Sequence, residues 1–394
     1  MPALPDDEKK KLIVFVAIAM SALALILAVN VIVHERSLSM LEGAGTPLRA
    51  GLERLASNPT TCGMTMQSSP QNERPMRHVN ATLIDLPDVL VLGRSDADHM
   101  SSTFFRPDVK FYNGFLSNTC FAYQYEVFYD LMNAHHGGVP KLVLLDVGTD
   151  FILREGTEPM WDSPPDNYMW YGNPPFHWGK KAPPPWYRDI PSLLSLAQTG
   201  ETLAWLGSRS RSPEKHDKDV ATVDTGEPFR CVATSVPAGI TRWLADGSRV
   251  YEGEVLGVVP PPAPLRINNA VGDRHPNLER LLALDFIVRK MEEAGTKVLL
   301  YSSPVHPRSY DDPKQARALQ AFDAAVGEVA KRRGVDFCDF AAKANELGCT
   351  AADFRDELHV ARPCNRRIVR DMTRGCAPRA GPVLKAMLDP EVLQ

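Results

Sequence analysis

The chain has 394 residues, a formal net charge of −4 at pH 7 and a pI near 6.2. This charge balance implies no broad basic surface, so the composition gives no reason to expect nucleic acid as a partner. A chain of this length suits one large α/β domain with insertions, or two smaller domains.

The most apolar stretch lies close to the N-terminus. Residues 12–33 are apolar except for Ser21 and Asn30, and a stretch of this length crosses a bilayer as a helix. Three lysines at 9–11 precede it, which places a cytoplasmic tail at 1–11 and everything after the helix outside. We therefore predict a single-pass inner-membrane protein with a periplasmic or extracellular C-terminal domain. A cleaved signal peptide is the alternative, but the stretch is long and no clear cleavage site follows it.

Residues 34–80 separate the apolar stretch from the first predicted core strand. They begin with a short amphipathic segment at 37–57 and continue as a polar stretch rich in Asn, Ser, Pro and Thr. We predict a juxtamembrane helix followed by a linker, with the folded domain at 81–394.

Apolar strands and amphipathic helices alternate through much of this domain. The predicted strands are 90–93, 109–113, 141–148, 296–304 and 335–340, and the predicted helices are 121–136, 277–295 and 313–334. Continuous apolar strands separated by helices indicate a parallel sheet covered on both faces, which is a three-layer α/β/α sandwich. Sites in such sheets lie beyond the carboxyl ends of the strands, and three of these ends carry polar residues: Gly93-Arg94-Ser95, Gly148-Thr149-Asp150 and Tyr301-Ser302-Ser303.

The alternation lapses between about residues 151 and 275. Residues 158–187 are dense in Pro and Trp and cannot form one regular element, and residues 208–228 are polar. We predict a large insertion that caps the sheet. Its aromatic side chains either stack on sugar rings or pack the cap against the domain.

Cysteine usage agrees with an oxidising compartment, where disulfides persist. The chain has seven cysteines, of which four lie between 338 and 376, and none forms a CxxC pair typical of zinc or thioredoxin sites. We predict disulfides that staple the C-terminal region. The sequence leaves their pairing open, and the odd count leaves at least one thiol unpaired or one bridge between chains.

Ser95 is the first candidate nucleophile. A serine acts in this way when a base takes its proton and hydrogen-bond donors hold the oxyanion that forms. Ser95 follows a strand and a glycine, in a tight turn that would expose its hydroxyl. The same pattern is typical of cap and turn serines, and Ser302 and Ser303 are rivals at another strand end.

Asp356 and His359 are the candidate partners of that serine. They are three residues apart, so on a helical turn both side chains face the same way. An aspartate in that position holds the imidazole in the correct tautomer and stabilises its charged form. A solvated helix start with neighbouring charges is the alternative interpretation.

Asp96, Asp98 and His99 offer metal-ligating side chains, with His306 as a fourth. No HExxH-like or paired-His spacing supports a metal site, so we predict none. Asp96 and Asp98 are instead predicted to cap the helix that follows Ser95.

The order of these residues resembles that of the SGNH (GDSL-like) hydrolase superfamily, from about Pro87 to residue 375 with the insertion outside it. The stretch "VLVLGRSDADHM" resembles the first block of the family, and "FRDELHV" resembles the last. The resemblance implies a flavodoxin-like fold in which Ser95 is the nucleophile, His359 the base and Asp356 its orienter.

Two further blocks imply the oxyanion hole. "FYNGFLSNT" resembles the second block and "LDVGTD" the third, which implies donors from the Ser95 backbone, the Asn118 backbone and the Thr149 hydroxyl. The family usually has glycine where Asn118 stands and asparagine where Thr149 stands. Since losing one oxyanion donor costs about 100- to 1000-fold in rate, these two residues predict modest activity or a different oxyanion geometry.

The resemblance implies an esterase or O-acyltransferase that needs no metal or organic cofactor. Membrane-anchored relatives act on extracytoplasmic polymers, in polysaccharide O-acetylation and teichoic-acid D-alanylation. We therefore expect acyl esters of a cell-envelope or secreted polysaccharide as substrate and, for transfer, a multi-spanning membrane protein that delivers the acyl group. The alternative, motivated by Asn118 and Thr149, is a catalytically weak or inactive protein of this fold that binds glycan or serves in assembly.

Overall fold

The computed structural model describes Ser21 and residues 47–57, 63–67, 70–117, 119–153, 222–223, 240–250 and 274–394. By internal contacts the chain divides into two units, one of Met1–Thr46 with Pro164–Val220 and one of Pro47–Ser163 with Ala221–Gln394. Apart from Ser21, every described residue belongs to the second unit.

Several predicted features lie outside the described residues: the apolar span at 12–33 apart from Ser21, most of the insertion, Cys62, Cys231 and Asn118. Within the described part of the chain, no helix is both long and apolar enough to cross a membrane.

Strands and helices alternate in the order that the sequence predicts. The strands are β1 (Met64–Gln67), β2 (Val89–Leu92), β3 (Phe111–Asn113), β4 (Leu142–Asp146), β5 (Thr222–Val223), β6 (Ile240–Trp243), β7 (Arg249–Val250), β8 (Lys297–Ser302) and β9 (Asp336–Asp339). The α-helices are α1 (Pro47–Ser57), α2 (Pro70–Leu83), α3 (Phe121–Ala134), α4 (Thr149–Leu153), α5 (Leu278–Glu293), α6 (Pro313–Arg333), α7 (Arg362–Asp371), α8 (Gly381–Met387) and α9 (Pro390–Leu393). All eight elements predicted between residues 90 and 340 are present, with ends that differ by at most two residues.

Five strands form one parallel sheet in the order β3-β2-β4-β8-β9. Strands β2 and β4 are buried along their whole length, which explains why their sequences read as continuous apolar runs. The chain adds strands on one side of β2 and then on the other, so its direction of growth reverses between β2 and β4. In doubly wound sheets of this order, ligand sites lie outside the carboxyl ends of the strands at this switch point. The α/β class and the parallel sheet are confirmed.

A second sheet was not predicted. It is antiparallel, with the order β5-β1-β6-β7. Strand β1 and most of α2 lie in the stretch assigned to the linker, so regular structure begins before residue 81, and β5 to β7 lie in the assigned insertion. These strands are two to four residues long, which is too short for a clear periodicity. Strand β1 pairs with partners far away in sequence, such as Met64 with Trp243, whereas β6 and β7 pair with each other as a local hairpin.

Two disulfides staple the C-terminal region, as predicted. Cys338 of β9 is bonded to Cys376, and Cys349 is bonded to Cys364 of α7. The second bond closes a loop with a sequence separation of 15 residues, and the loop contains both Asp356 and His359. In the chain-entropy model, a closure of this length stabilises the fold by about 3 kcal/mol.

Candidate active site

The Ser95 turn lies at the switch point of the parallel sheet. β2 ends at Leu92, and Ser95 begins a short 3₁₀ turn that ends at Ala97. Gly93 lies between the strand and this turn. A side chain is not tolerated here, because a Cβ at position 93 would lie 2.7 Å from the Cβ of Asp146, at the end of β4. Only glycine allows the chain to leave β2 this close to β4.

Asp356 and His359 lie in a loop, not on the predicted helical turn. The loop is flanked by Phe354 and Val360, which pair as an isolated antiparallel bridge. Asp356 Oδ1 accepts hydrogen bonds from the backbone N–H groups of Leu358 and His359, each at 2.9 Å. The carboxylate therefore shapes its own turn, as short polar side chains do outside helices, and this corrects the helical prediction.

The structure brings Ser95, His359 and Asp356 together. The distance from His359 Nε2 to Ser95 Oγ is 2.7 Å, and His359 Nδ1 lies 2.7 and 2.8 Å from the two oxygens of Asp356. Since the carboxylate accepts the proton on Nδ1, Nε2 of the neutral ring is left to accept the serine proton. A hydroxyl, an imidazole and a carboxylate joined in this series match the geometry of a Ser-His-Asp triad.

The Asp356 carboxylate is held in its charged form. Burial alone would raise its pKa, but the hydrogen bond and charge of His359, together with the two backbone N–H groups, lower the pKa below its ordinary value. An anion in this place would stabilise an imidazolium on His359 if the ring accepted a proton from Ser95.

Two of the three implied oxyanion donors are described. The Ser95 N–H is the first of its 3₁₀ turn, where backbone donors have no partner within the turn. Thr149 is buried and begins α4, directly beyond β4. The two turns are tied together by Arg94 and Asp150, whose Nη1 and Oδ1 atoms are 2.6 Å apart. Asn118 lies outside the described residues, between Ser117 and Thr119.

Asp96 and Asp98 do not cap the turn after Ser95, which corrects that prediction. No side chain caps this turn, which is only three residues long. Asp96 Oδ1 lies 3.7 Å from His359 Nε2, and Asp98 pairs with His99 and Arg249. Asp98 is buried beside Arg249, whose charge attracts it more strongly than the end of one short turn, whereas Asp96 is buried near the carboxyl groups of Asp150 and Asp146.

The rival serines hydrogen-bond carboxyl groups. Ser302 Oγ donates to Asp339 Oδ1 at 2.6 Å and accepts the backbone N–H groups of Phe340 and Ala341. Ser303 Oγ donates to Asp146 Oδ2 at 2.7 Å. Both hydroxyls therefore serve to connect elements at the end of the sheet.

The residues considered as metal ligands do not converge. His306 packs edge-on against Phe354, and its Nδ1 accepts the Arg308 N–H, away from the pair of Asp98 and His99. In the ranges that the structure covers, no group of three or more His, Cys, Asp or Glu side chains is placed to hold a metal ion.

Sequence reasoning missed a group of buried carboxyls beneath the triad. Burial raises the pKa of Asp146 to about 7, against the hydrogen bond from Ser303. Burial and the charges of Asp150 and Asp146 also raise the pKa of Asp96. Arg94 lies among these groups, but its guanidinium pairs with Asp150. In the sequence, the one indication of this group is Asp146, a charged residue at the end of the apolar strand β4.

Replacing Asp146 with asparagine is expected to flatten the pH dependence of stability. The ordinary pKa of 3.8 rises to about 7 on folding, so the folded state retains a proton that the unfolded state releases between these values. The resulting stabilisation is complete below about pH 4 and is lost as the pH rises through 7. The free energy of unfolding, measured by urea denaturation from pH 5 to 8, should fall less steeply in Asp146→Asn than in the wild type. Equal slopes would contradict the expectation.

Comparison with known proteins gives no independent assignment of this site. No protein family model, no curated protein and no solved structure matches the chain. The functional interpretation therefore rests on the residues and geometry of the site.

Proposed function

We propose that this chain is a membrane-anchored extracytoplasmic serine esterase or O-acyltransferase. The observation that carries the proposal is the 2.7 Å distance between His359 Nε2 and Ser95 Oγ, with Asp356 bonded to the other ring nitrogen. A serine hydroxyl becomes a nucleophile when a base, itself oriented by a third group, lies within hydrogen-bond reach.

The proposal places the chain in the SGNH superfamily, with a three-layer α/β/α domain. The sheet order supports it, as does the position of Ser95 beyond the first core strand at the switch point. Further support comes from the chain order of the triad, in which the serine comes first and Asp-x-x-His follows near the C-terminus.

Acyl transfer would proceed in two steps. Ser95 Oγ attacks the acyl carbonyl carbon while its proton passes to His359 Nε2, and Asp356 stabilises the imidazolium. The resemblance implies that the oxyanion is held by the Ser95 and Asn118 N–H groups and the Thr149 hydroxyl. His359 then protonates the leaving alcohol, which departs and leaves an ester on Ser95. In the second step His359 deprotonates water or a sugar hydroxyl, which takes the acyl group and restores Ser95.

The substrate class follows from the resemblance in the four blocks. We assign acyl esters of a cell-envelope or secreted polysaccharide, reached from the outer face of the inner membrane by a domain anchored through residues 12–33. A transferase of this kind works beside a multi-spanning membrane protein that supplies the acyl group. The chemistry requires only the side chains and backbone of the chain.

Labelling with a fluorophosphonate tests the proposal. The full chain is expected to take one adduct, mapped to Ser95 by peptide mass spectrometry, and to lose it in Ser95→Ala and His359→Ala. Ser303→Ala is the matched control, since its hydroxyl also follows a core strand but bonds Asp146, and it should label normally. A folded wild type that takes no adduct, yet binds glycan, would favour the non-catalytic alternative.

A further inference from the structure

Arg249 of β7 reaches from the antiparallel sheet into the neighbourhood of the triad. Its side chain is 4% exposed, and its backbone N–H donates to the carbonyl of Asp98 at 3.0 Å. Its guanidinium bonds groups on two different loops and on helix α2, which carries Glu73. Nη2 lies 2.8 Å from Asp98 Oδ2, and Nη1 lies 3.0 Å from Glu73 Oε1 and 2.9 Å from Ser117 Oγ.

One of these loops is the nucleophile turn, which we define as residues 95–98. Asp98 ends this turn and is fully buried. Burial alone would raise the pKa of Asp98, but His99 and Arg249 outweigh it and hold the pKa below its ordinary value. The pair of Asp98 and Arg249 is therefore ionic, and it fixes the C-terminal end of the turn that carries Ser95.

The other loop is the oxyanion loop, which we define as residues 114–117. Its last residue, Ser117, directly precedes Asn118, and the Ser117 N–H donates to Glu73 Oε2 at 2.7 Å. The Leu116 N–H donates to the carbonyl of Gly93 at 3.0 Å, so the loop runs beside the exit from β2. Glu73 is buried, and its two oxygens join the loop to Arg249.

We propose that Arg249 is a positioning residue of the acyl-transfer site, which sets the spacing between the nucleophile turn and the oxyanion loop. The inference rests on the proposed function. Only a guanidinium offers five donors in a planar fork, enough to bond two carboxylates and a hydroxyl at once. The fork also stacks on Phe115 and Trp243, at 4.9 and 5.4 Å from the ring centroids, which limits its movement.

This role gives the antiparallel sheet a part in the chemistry. In Arg249→Lys the positive charge is kept, but the ammonium group is a single nitrogen at the end of a flexible chain. It cannot bond Asp98, Glu73 and Ser117 at the same time. The oxyanion loop would then shift relative to Ser95. A misplacement of about 1 Å in such a site costs about 100-fold in rate.

The test measures fluorophosphonate labelling of the full chain well below its unfolding temperature. The final amount of adduct gives the number of reactive sites, and the time course gives the rate constant of labelling at those sites. Arg249→Lys is expected to label with the wild-type stoichiometry but about 10- to 100-fold more slowly. Arg333→Lys is the control, because it alters an arginine that pairs with Asp285 between α5 and α6, and its rate should not change. A merely structural role would reduce the number of active sites without changing the rate constant of those that remain.

Ser117→Ala provides a second variant should Arg249→Lys fail to fold. It removes one hydroxyl bonded to Arg249 Nη1, and a rate about 3- to 10-fold lower is expected from a lost hydrogen bond of about 1 kcal/mol. Unchanged rate constants in the folded variants would overturn the role of Arg249 while leaving the triad intact. A wild type without an adduct would overturn the proposed function, and this inference with it.

Discussion

Replacing His359 with alanine is expected to lower kcat for the hydrolysis of p-nitrophenyl acetate by at least about 10³-fold, and replacing Ser95 in addition should lower it no further. In the proposed mechanism the two side chains act as one unit, because Ser95 would transfer its proton across the 2.7 Å contact to His359 Nε2. Once either group is missing, only binding and the oxyanion donors continue to act. Steady-state kinetics of the two single variants and the double variant provide the measurement.

The chain contains a matched control for this prediction. His78 and Asp130 form another His–Asp pair, with 3.0 Å between Nδ1 and Oδ2, on α2 and α3. His78→Ala should therefore leave kcat unchanged within a few-fold. Losses that multiply in the Ser95 and His359 double variant would show that the two residues act independently, which the triad interpretation does not allow.

Replacing Asp356 with asparagine is expected to lower kcat by about 10⁴-fold and to lower the unfolding temperature only modestly, because the amide oxygen can still accept the two backbone N–H groups. The neutral amide neither stabilises an imidazolium nor requires the proton on His359 Nδ1. The proton then moves to Nε2, where it prevents the ring from accepting the serine proton. Kinetics and thermal unfolding of the same preparation test both parts of the expectation.

Asp353, within the same disulfide-closed loop, is a control residue whose replacement should affect stability and not activity. It is buried, accepts the Thr350 N–H at 2.7 Å and pairs with Arg367 at 3.1 Å. Asp353→Asn should therefore lower the unfolding temperature and leave kcat per folded molecule unchanged. If Asp356→Asn instead lost stability and kept its activity, Asp356 would be a turn-forming residue only.

The sequence was sufficient to predict the parallel sheet and to single out Ser95, His359 and Asp356, which the structure places in contact. Strands buried on both faces must be apolar throughout, so β2, β4 and β8 are visible as continuous runs. Ser95 was a candidate because Gly93-Arg94-Ser95 follows such a run and indicates an exposed turn. Asp356 and His359 were candidates because they stand three positions apart, and the order of all three residues along the chain strengthened both patterns. Each of these signals is local, or follows from the order of residues along the chain.

What the sequence could not give depends on contacts between distant residues. Arg249 and Asp98 are 151 positions apart, and no spacing rule connects them. The same holds for the pairing of β1 with β5 and β6, and the two-residue strands β5 and β7 have no periodicity. The turn around Asp356 was misassigned because its shape depends on hydrogen bonds to the carboxylate, which compete with a helical backbone.

The bond between Cys349 and Cys364 has a consequence for how the enzyme would mature. It encloses Asp356 and His359 in a covalent ring. Ser95 lies outside that ring, in the turn that follows β2. A newly made chain whose thiols are still reduced thus possesses the alcohol but lacks the tether that orders the general base. Under the proposed function, oxidation of this pair would link catalytic competence to arrival in a compartment where thiols are oxidised, and production in a reducing cytosol would leave His359 loosely held.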